Sequence, residues 1–127
     1  MNLRILIATG LSFTVLATPL AWGQSKGNVE AGKKAFSNCM YCHQAGPSAR
    51  NIFGPQLNGI VGRQAGSLPD YRYSTAMKNA GFIWTEDKLR AFVRNPGKVV
   101  PDNNMRFYGL WSDREAADLV AYLRTLK

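Results

Sequence analysis

Cysteine and histidine are scarce in this chain: two cysteines and one histidine, all inside the stretch SNCMYCHQAG at residues 37–46. A structural zinc site asks for four nitrogen or sulfur ligands, and only Cys39, Cys42 and His43 are available. A disulfide between residues three apart closes too short a loop to stabilise much. No alternating strand pattern is present, so the strand–helix–strand setting of a thioredoxin-like dithiol is missing. Acidic residues are also few, 8 against 16 Lys and Arg, which leaves a net charge of +8. The cations are scattered, only Lys33 and Lys34 being adjacent, and no recognition motif accompanies them, so nucleic acid is not an expected partner.

Long apolar runs are missing too, except at the N terminus. There Arg4 precedes an apolar stretch from Ile5 to Leu20, followed by the small residues Ala21 and Gly23. This pattern predicts a secretory signal peptide over residues 1–23 and a single domain over 24–127. The run falls short of the ~20 residues that span a bilayer comfortably, so cleavage is favoured over retention as an anchor. The expected location is the periplasm.

What is present reads as short helices joined by long loops. Asn28 caps a helix carrying Val29, Gly32 and Phe36 and ending at Cys39. Residues 44–73 are rich in Gly, Pro, Asn and Ser with almost no periodicity, the mark of a loop packed against something. Ser74 caps a short helix stopped at Gly81. Thr85 caps another, with Leu89, Phe92 and Val93 on one face and Pro96 as its expected terminator. Ser112 and Glu115 form a capping box before Ala116, Leu119, Val120 and Leu123. The fold class is all-α, with no internal repeat and no second domain, and so much irregular chain in so small a protein needs a large apolar object to wrap.

The pentapeptide Cys39-Met40-Tyr41-Cys42-His43 is the attachment pattern of c-type haem. Two intervening residues match the sulfurs to the two vinyl groups, and the adjacent histidine falls under the iron. With no second histidine, the other axial position falls to a methionine thioether or stays open. Met40 lies between the attaching cysteines, on the wrong side of the ring. Met77 stands at core spacing in a helix, where methionine is commonly packing. Met105 stands in a Pro-started polar loop, VVPDNNMRFYGL, and is the favoured ligand.

These segments together resemble a class I c-type cytochrome of the mitochondrial and bacterial c2 branch. GNVEAGKKAF, CMYCH, GPQLNGIVGRQAG, YRYSTAMKNAGFIW, NPGKVVPDNNMRFYGL and DLVAYLRTLK carry the resemblance, in the family's order. It implies a cytochrome c fold around one covalent haem c, in which the first and last helices cross, Gly32 and Phe36 meeting Leu119 and Tyr122. It implies that the Pro55 carbonyl accepts the imidazole proton of His43, that Tyr73 and Trp84 hydrogen-bond a propionate, that Arg63 offsets propionate charge, and that Phe107 lies beside the exposed haem edge. An ordinary turn proline, core packing and a solvated arginine are the plainer alternatives for these positions. The sequence departs from the family where PDNNM replaces the usual PGTKM, so a threonine hydroxyl and a lysine are absent and Asn103 becomes a candidate for the missing hydrogen bond. Phe92 stands where a tyrosine near the methionine sulfur is customary.

The function these features imply is a soluble, monomeric electron carrier, not an enzyme, cycling one electron between respiratory or photosynthetic complexes. Lys33, Lys34, Lys98 and Arg106 are the expected cations around the ring edge, fitted to acidic docking faces. A peroxidase or gas-binding protein with a labile sixth site is the alternative, and it lacks a distal histidine.

Overall fold

The computed structural model describes residues 26–127; the signal segment expected over 1–23 lies outside the described residues. Five helices form: α1 (Val29–Ala35), continued by a 3₁₀ turn Phe36–Asn38, α2 (Thr75–Lys78), α3 (Glu86–Arg94), α4 (Pro96–Val99) and α5 (Asp113–Leu123). Among the described residues no strand forms, and one isolated bridge joins Gln64 to Ile83.

Each helix begins where a short polar side chain satisfies an orphan N–H. Asn28 accepts from the Ala31 N–H at 2.8 Å, Ser74 from Met77 at 3.1 Å, Thr85 from Lys88 at 3.1 Å and Ser112 from Glu115 at 3.4 Å. At Pro96 the structure adds an element. The chain does stop α3 before it, but Pro96 then opens α4, with Asn95 as cap accepting from the Lys98 N–H at 3.1 Å. Proline serves at a helix start because no N–H is needed there, and it holds the preceding residue in an extended conformation; Asn95 has φ −157° and ψ 88°.

The principal packing is α1 across α5. Gly32 makes it possible, since a Cβ there would overlap the Asp118 carbonyl and crowd the Tyr122 Cβ. Phe36 and Tyr122 stack at 5.4 Å between ring centroids, tilted by 55°. Leu119 and Val120 are the largest fully buried side chains of the core. A further tie escaped the sequence: the buried Asp118 accepts the Asn28 N–H at 2.6 Å and pairs with Arg114 Nε at 3.5 Å. One carboxylate thus fixes the start of α1 onto the middle of α5.

Gly32→Ala is expected to push α1 off α5, at a loss of about 3 kcal/mol, since overpacking against backbone relaxes poorly. The denaturation midpoint of the haem-loaded protein reads this; an unchanged midpoint would show that the helices have room to part.

The irregular segment 44–73 is pinned by side-chain bonds to backbone, as a loop without a ladder requires. Asn58 accepts the Gly46 N–H and donates to the Gly46 carbonyl, both at 2.8 Å. Gly62 N–H reaches the Trp84 carbonyl at 2.8 Å, and Trp84 N–H the Arg63 carbonyl at 2.9 Å. These bonds close the loop onto the strip leading into α3 and leave a slot between them.

Candidate functional site

That slot is a cavity of about 490 Å³, walled by the end of the 3₁₀ turn, the 53–63 loop, α2, α3, the 103–107 loop and two residues of α5. Every expected site residue lines it: Cys39, Cys42, His43, Pro55, Arg63, Tyr73, Trp84, Met105 and Phe107. Phe92, Leu89, Ile60, Leu57 and Met77 supply much of the apolar wall. Met40 does not reach it and is 61% exposed. Of the four cations expected at its rim, Arg106 lines it, whereas Lys33, Lys34 and Lys98 stand exposed on the surface outside its lining.

Cys39 and Cys42 are both free thiols, so a structural disulfide is not what joins them. Burial first, then the neighbouring Cys42 and Glu115, push the Cys39 thiol up to about 11. A redox dithiol works through a thiolate of lowered pKa, and this environment does the reverse. Cys39 is at the end of the 3₁₀ turn, its N–H bonded to the Phe36 carbonyl at 2.8 Å, and its own carbonyl accepts from both Cys42, at 3.1 Å, and His43, at 2.8 Å. This tight turn presents all three side chains to one cavity.

His43 is oriented by a bond of 2.7 Å between its Nδ1 and the Pro55 carbonyl. Burial holds its pKa below the ordinary imidazole range and Arg63 adds to this, against the opposing effect of the Pro55 bond. The ring is therefore neutral, Nδ1 donates, and Nε2 keeps its lone pair. Sequence reasoning missed the residue that makes room for it: a Cβ on Gly54 would sit 2.7 Å from His43 Nδ1, and Gly54 N–H donates to the Cys42 carbonyl at 2.7 Å. Its adjacency to Pro55 was the one available signal.

Arg63 is half-buried, its guanidinium donating to the Gln56 carbonyl at 3.1 Å and the Asn58 carbonyl at 3.3 Å. No carboxylate lies within ion-pair distance of it among the described residues. Tyr73 packs edge-on to Tyr71 at 4.8 Å, and burial pushes its pKa up against the opposing pull of Arg63. Trp84 is buried, set edge-on to Phe92 at 4.9 Å. Three groups of hydrogen-bonding character thus stand on a largely apolar wall. The remaining donor set is two thiols, an imidazole with a free lone pair and thioethers from Met105 and Met77.

A largely apolar slot with the arginines Arg63 and Arg106 on its lining, together with soft donors, suits a flat macrocycle bearing acidic side chains. The donor set suits iron, for which nitrogen and thioether ligation is a known pairing. The residues fit haem. Loops wrapped round such a slot, with two thiols on its wall, define a protein that carries haem covalently.

The comparisons agree. The profile of the family described as Cytochrome c matches residues 29–127. The chain is 48% identical over 101 residues to cytochrome c2 of Agrobacterium tumefaciens (strain II Chrys), covering 77% of this chain and 91% of that one. It is 43% identical over 97 residues to cytochrome c-550 of Nitrobacter winogradskyi, covering 76% and 89%. Among solved structures, cytochrome cH from Methylobacterium extorquens superposes with a TM-score of 0.73 at 37% identity, covering 78% of this chain and 99% of that one. The chain belongs to the cytochrome c family, as a class I c-type cytochrome of the c2 branch. It carries one covalent haem c, at the single Cys-x-x-Cys-His motif, and is an electron carrier.

Proposed function

We propose that this protein shuttles single electrons between redox complexes of the bacterial periplasm, with its iron held from the protein by His43 and Met105. When bound, the haem supplies a one-electron Fe(II)/Fe(III) couple. The observation that carries the reading is the bond from His43 Nδ1 to the Pro55 carbonyl, which fixes the tautomer with Nε2 free and strengthens it as a donor. Met105 supplies the second soft donor from a loop whose backbone is held in place. Arg63, Tyr73 and Trp84 would hold the propionates; Cys39 and Cys42 would form the two thioether links. His43 and Met105 would both bind the iron and so would keep small molecules from it, which separates a carrier from a peroxidase or gas trap.

Lys33, Lys34, Lys98 and Arg106 are exposed and suit acidic docking faces through salt-sensitive steering. Sequence reasoning did not anticipate Tyr108 and Trp111, which are 102% and 94% exposed. Between them Leu110 turns inward, its N–H bonded to the Val93 carbonyl at 2.8 Å, so the two rings face outward from the segment that follows Met105. Exposed tyrosine and tryptophan are the residue types that anchor interface centres. Among the described residues no helix is long and apolar enough to cross a membrane.

Carbon monoxide tests the ligation. Mixed with the reduced protein at neutral pH, it is expected not to combine within seconds; rapid stoichiometric binding would mean that the sixth position is open and the carrier reading wrong.

A further inference from the structure

Met105 is carried by a turn that is unusual in one residue. The Asn103 N–H bonds to the Val100 carbonyl at 3.3 Å, which closes a four-residue turn with Pro101 second and Asp102 third. Asp102 has φ 61°, the one positive φ of a non-glycine residue among those described. Proline fixes a negative φ at the second place, so the positive φ at the third makes this a type II turn, which ordinarily takes glycine there. The turn therefore holds a strained residue and needs something to keep it closed.

The Asn103 side chain does this. Its Nδ2 donates to the same Val100 carbonyl at 2.7 Å, and its Oδ1 accepts the Met105 N–H at 2.8 Å. One planar amide thus spans the turn, gripping the residue before Pro101 with one pole and Met105 with the other. The poles are not interchangeable, because reversing them would set NH₂ against an N–H and oxygen against a carbonyl. With both poles engaged inside the loop, Asn103 acts on the loop's own backbone, in place of the role suggested by comparison with the threonine.

We infer that Asn103 is the positioning residue of Met105, a clamp that keeps a strained type II turn closed and so keeps the thioether directed into the cavity. This rests on the reading of Met105 as a ligand. Losing the clamp frees the Met105 N–H and allows Asp102 to relax to negative φ, which carries the sulfur away from the cavity more often.

The test uses an isosteric pair in the haem-loaded protein, Asn103→Thr and Asn103→Val. A threonine hydroxyl can accept from the N–H two residues on, more weakly than an asparagine amide; valine cannot. Asn103→Val is expected to raise the rate at which carbon monoxide combines with the reduced protein about fivefold, and to lower the exchange protection of the Met105 N–H by a similar factor, as the loss of one net hydrogen bond implies. Asn103→Thr is expected to recover most of both. Equal behaviour of the two variants, whether both unchanged or both raised alike, overturns the clamp. So does an unprotected Met105 N–H in the unaltered protein, a measurement that stands even if the valine variant fails to fold. Met105→Ala separates the two readings. If it keeps the far-red iron–sulfur band, the ligand assignment falls and the clamp with it; if it loses the band while Asn103→Val exchanges at the unaltered rate, the clamp alone falls.

Discussion

Replacing Cys39 and Cys42 together by serine is expected to leave a polypeptide with no covalently retained haem and little ordered structure. Serine oxygen does not make the thioether, so denaturing mass spectrometry should return the mass of the bare chain. The structural loss follows from the cavity. It measures about 490 Å³ and is lined largely by apolar side chains, which would face water without the haem. The haem is thus part of the core, and Leu89, Phe92, Leu119 and Leu123, which all face the cavity, lose their packing partner without it. Far-UV circular dichroism should fall accordingly. Single replacements are expected to retain one link, Cys39→Ser being the more damaging because that thiol is the more buried. Haem mass persisting on the double variant after denaturation would refute the attachment.

The helices were legible where their signals are local. Asn28, Ser74, Thr85 and Ser112 each cap within three residues of themselves, so no tertiary partner had to be known. Pro96 shows the limit: a proline both ends one helix and begins another, and only the Asn95 side chain, a plausible turn residue as well as a cap, distinguishes them. Asp118 was illegible for a different reason. In the pattern of α5 it is one more acid beside Arg114, and its burial depends on Asn28, 90 residues away in sequence. Gly54 is similar, its need for hydrogen in place of a side chain arising from the His43 ring that folds back over it.

At the site, the attachment pentapeptide was legible because its chemistry is fixed by spacing alone. The surrounding wall was legible through resemblance, and the cavity gathers all of those positions. What stayed hidden were the devices that hold the loops: the Asn58 pair of bonds to Gly46 and the Asn103 clamp. The Asn58 pair spans 12 residues and the Asn103 clamp 3 at most, yet each depends on a loop geometry that composition does not announce. At Asp102 composition points the other way, since a positive φ leads one to look for glycine.

Two thioethers, Met105 and Met77, reach the cavity wall, so lining it does not by itself select the ligand. Their backbones differ. Met77 lies in α2, packed against the core with its N–H bonded to the Ser74 cap, and a helix delivers the side chain as filler. Met105 extends from a loop with its own N–H clamped. Met105→Ala is therefore expected to abolish the far-red band of the oxidised protein, to admit carbon monoxide to the reduced form, and to lower the reduction potential by a substantial share of the roughly 0.8 V over which axial ligation tunes haem. The sign follows from chemistry: a thioether is a soft donor that favours the reduced iron, and its loss leaves the oxidised state less disfavoured. The packing of α1 on α5 does not involve this loop, so the helical signal should survive. Met77→Ala, in contrast, is expected to keep the band and the potential while costing about 2 kcal/mol in stability, the lower end for a truncated core methionine. The opposite pattern, with the band lost at Met77 and kept at Met105, would move the ligand to α2 and leave the strained turn without its purpose.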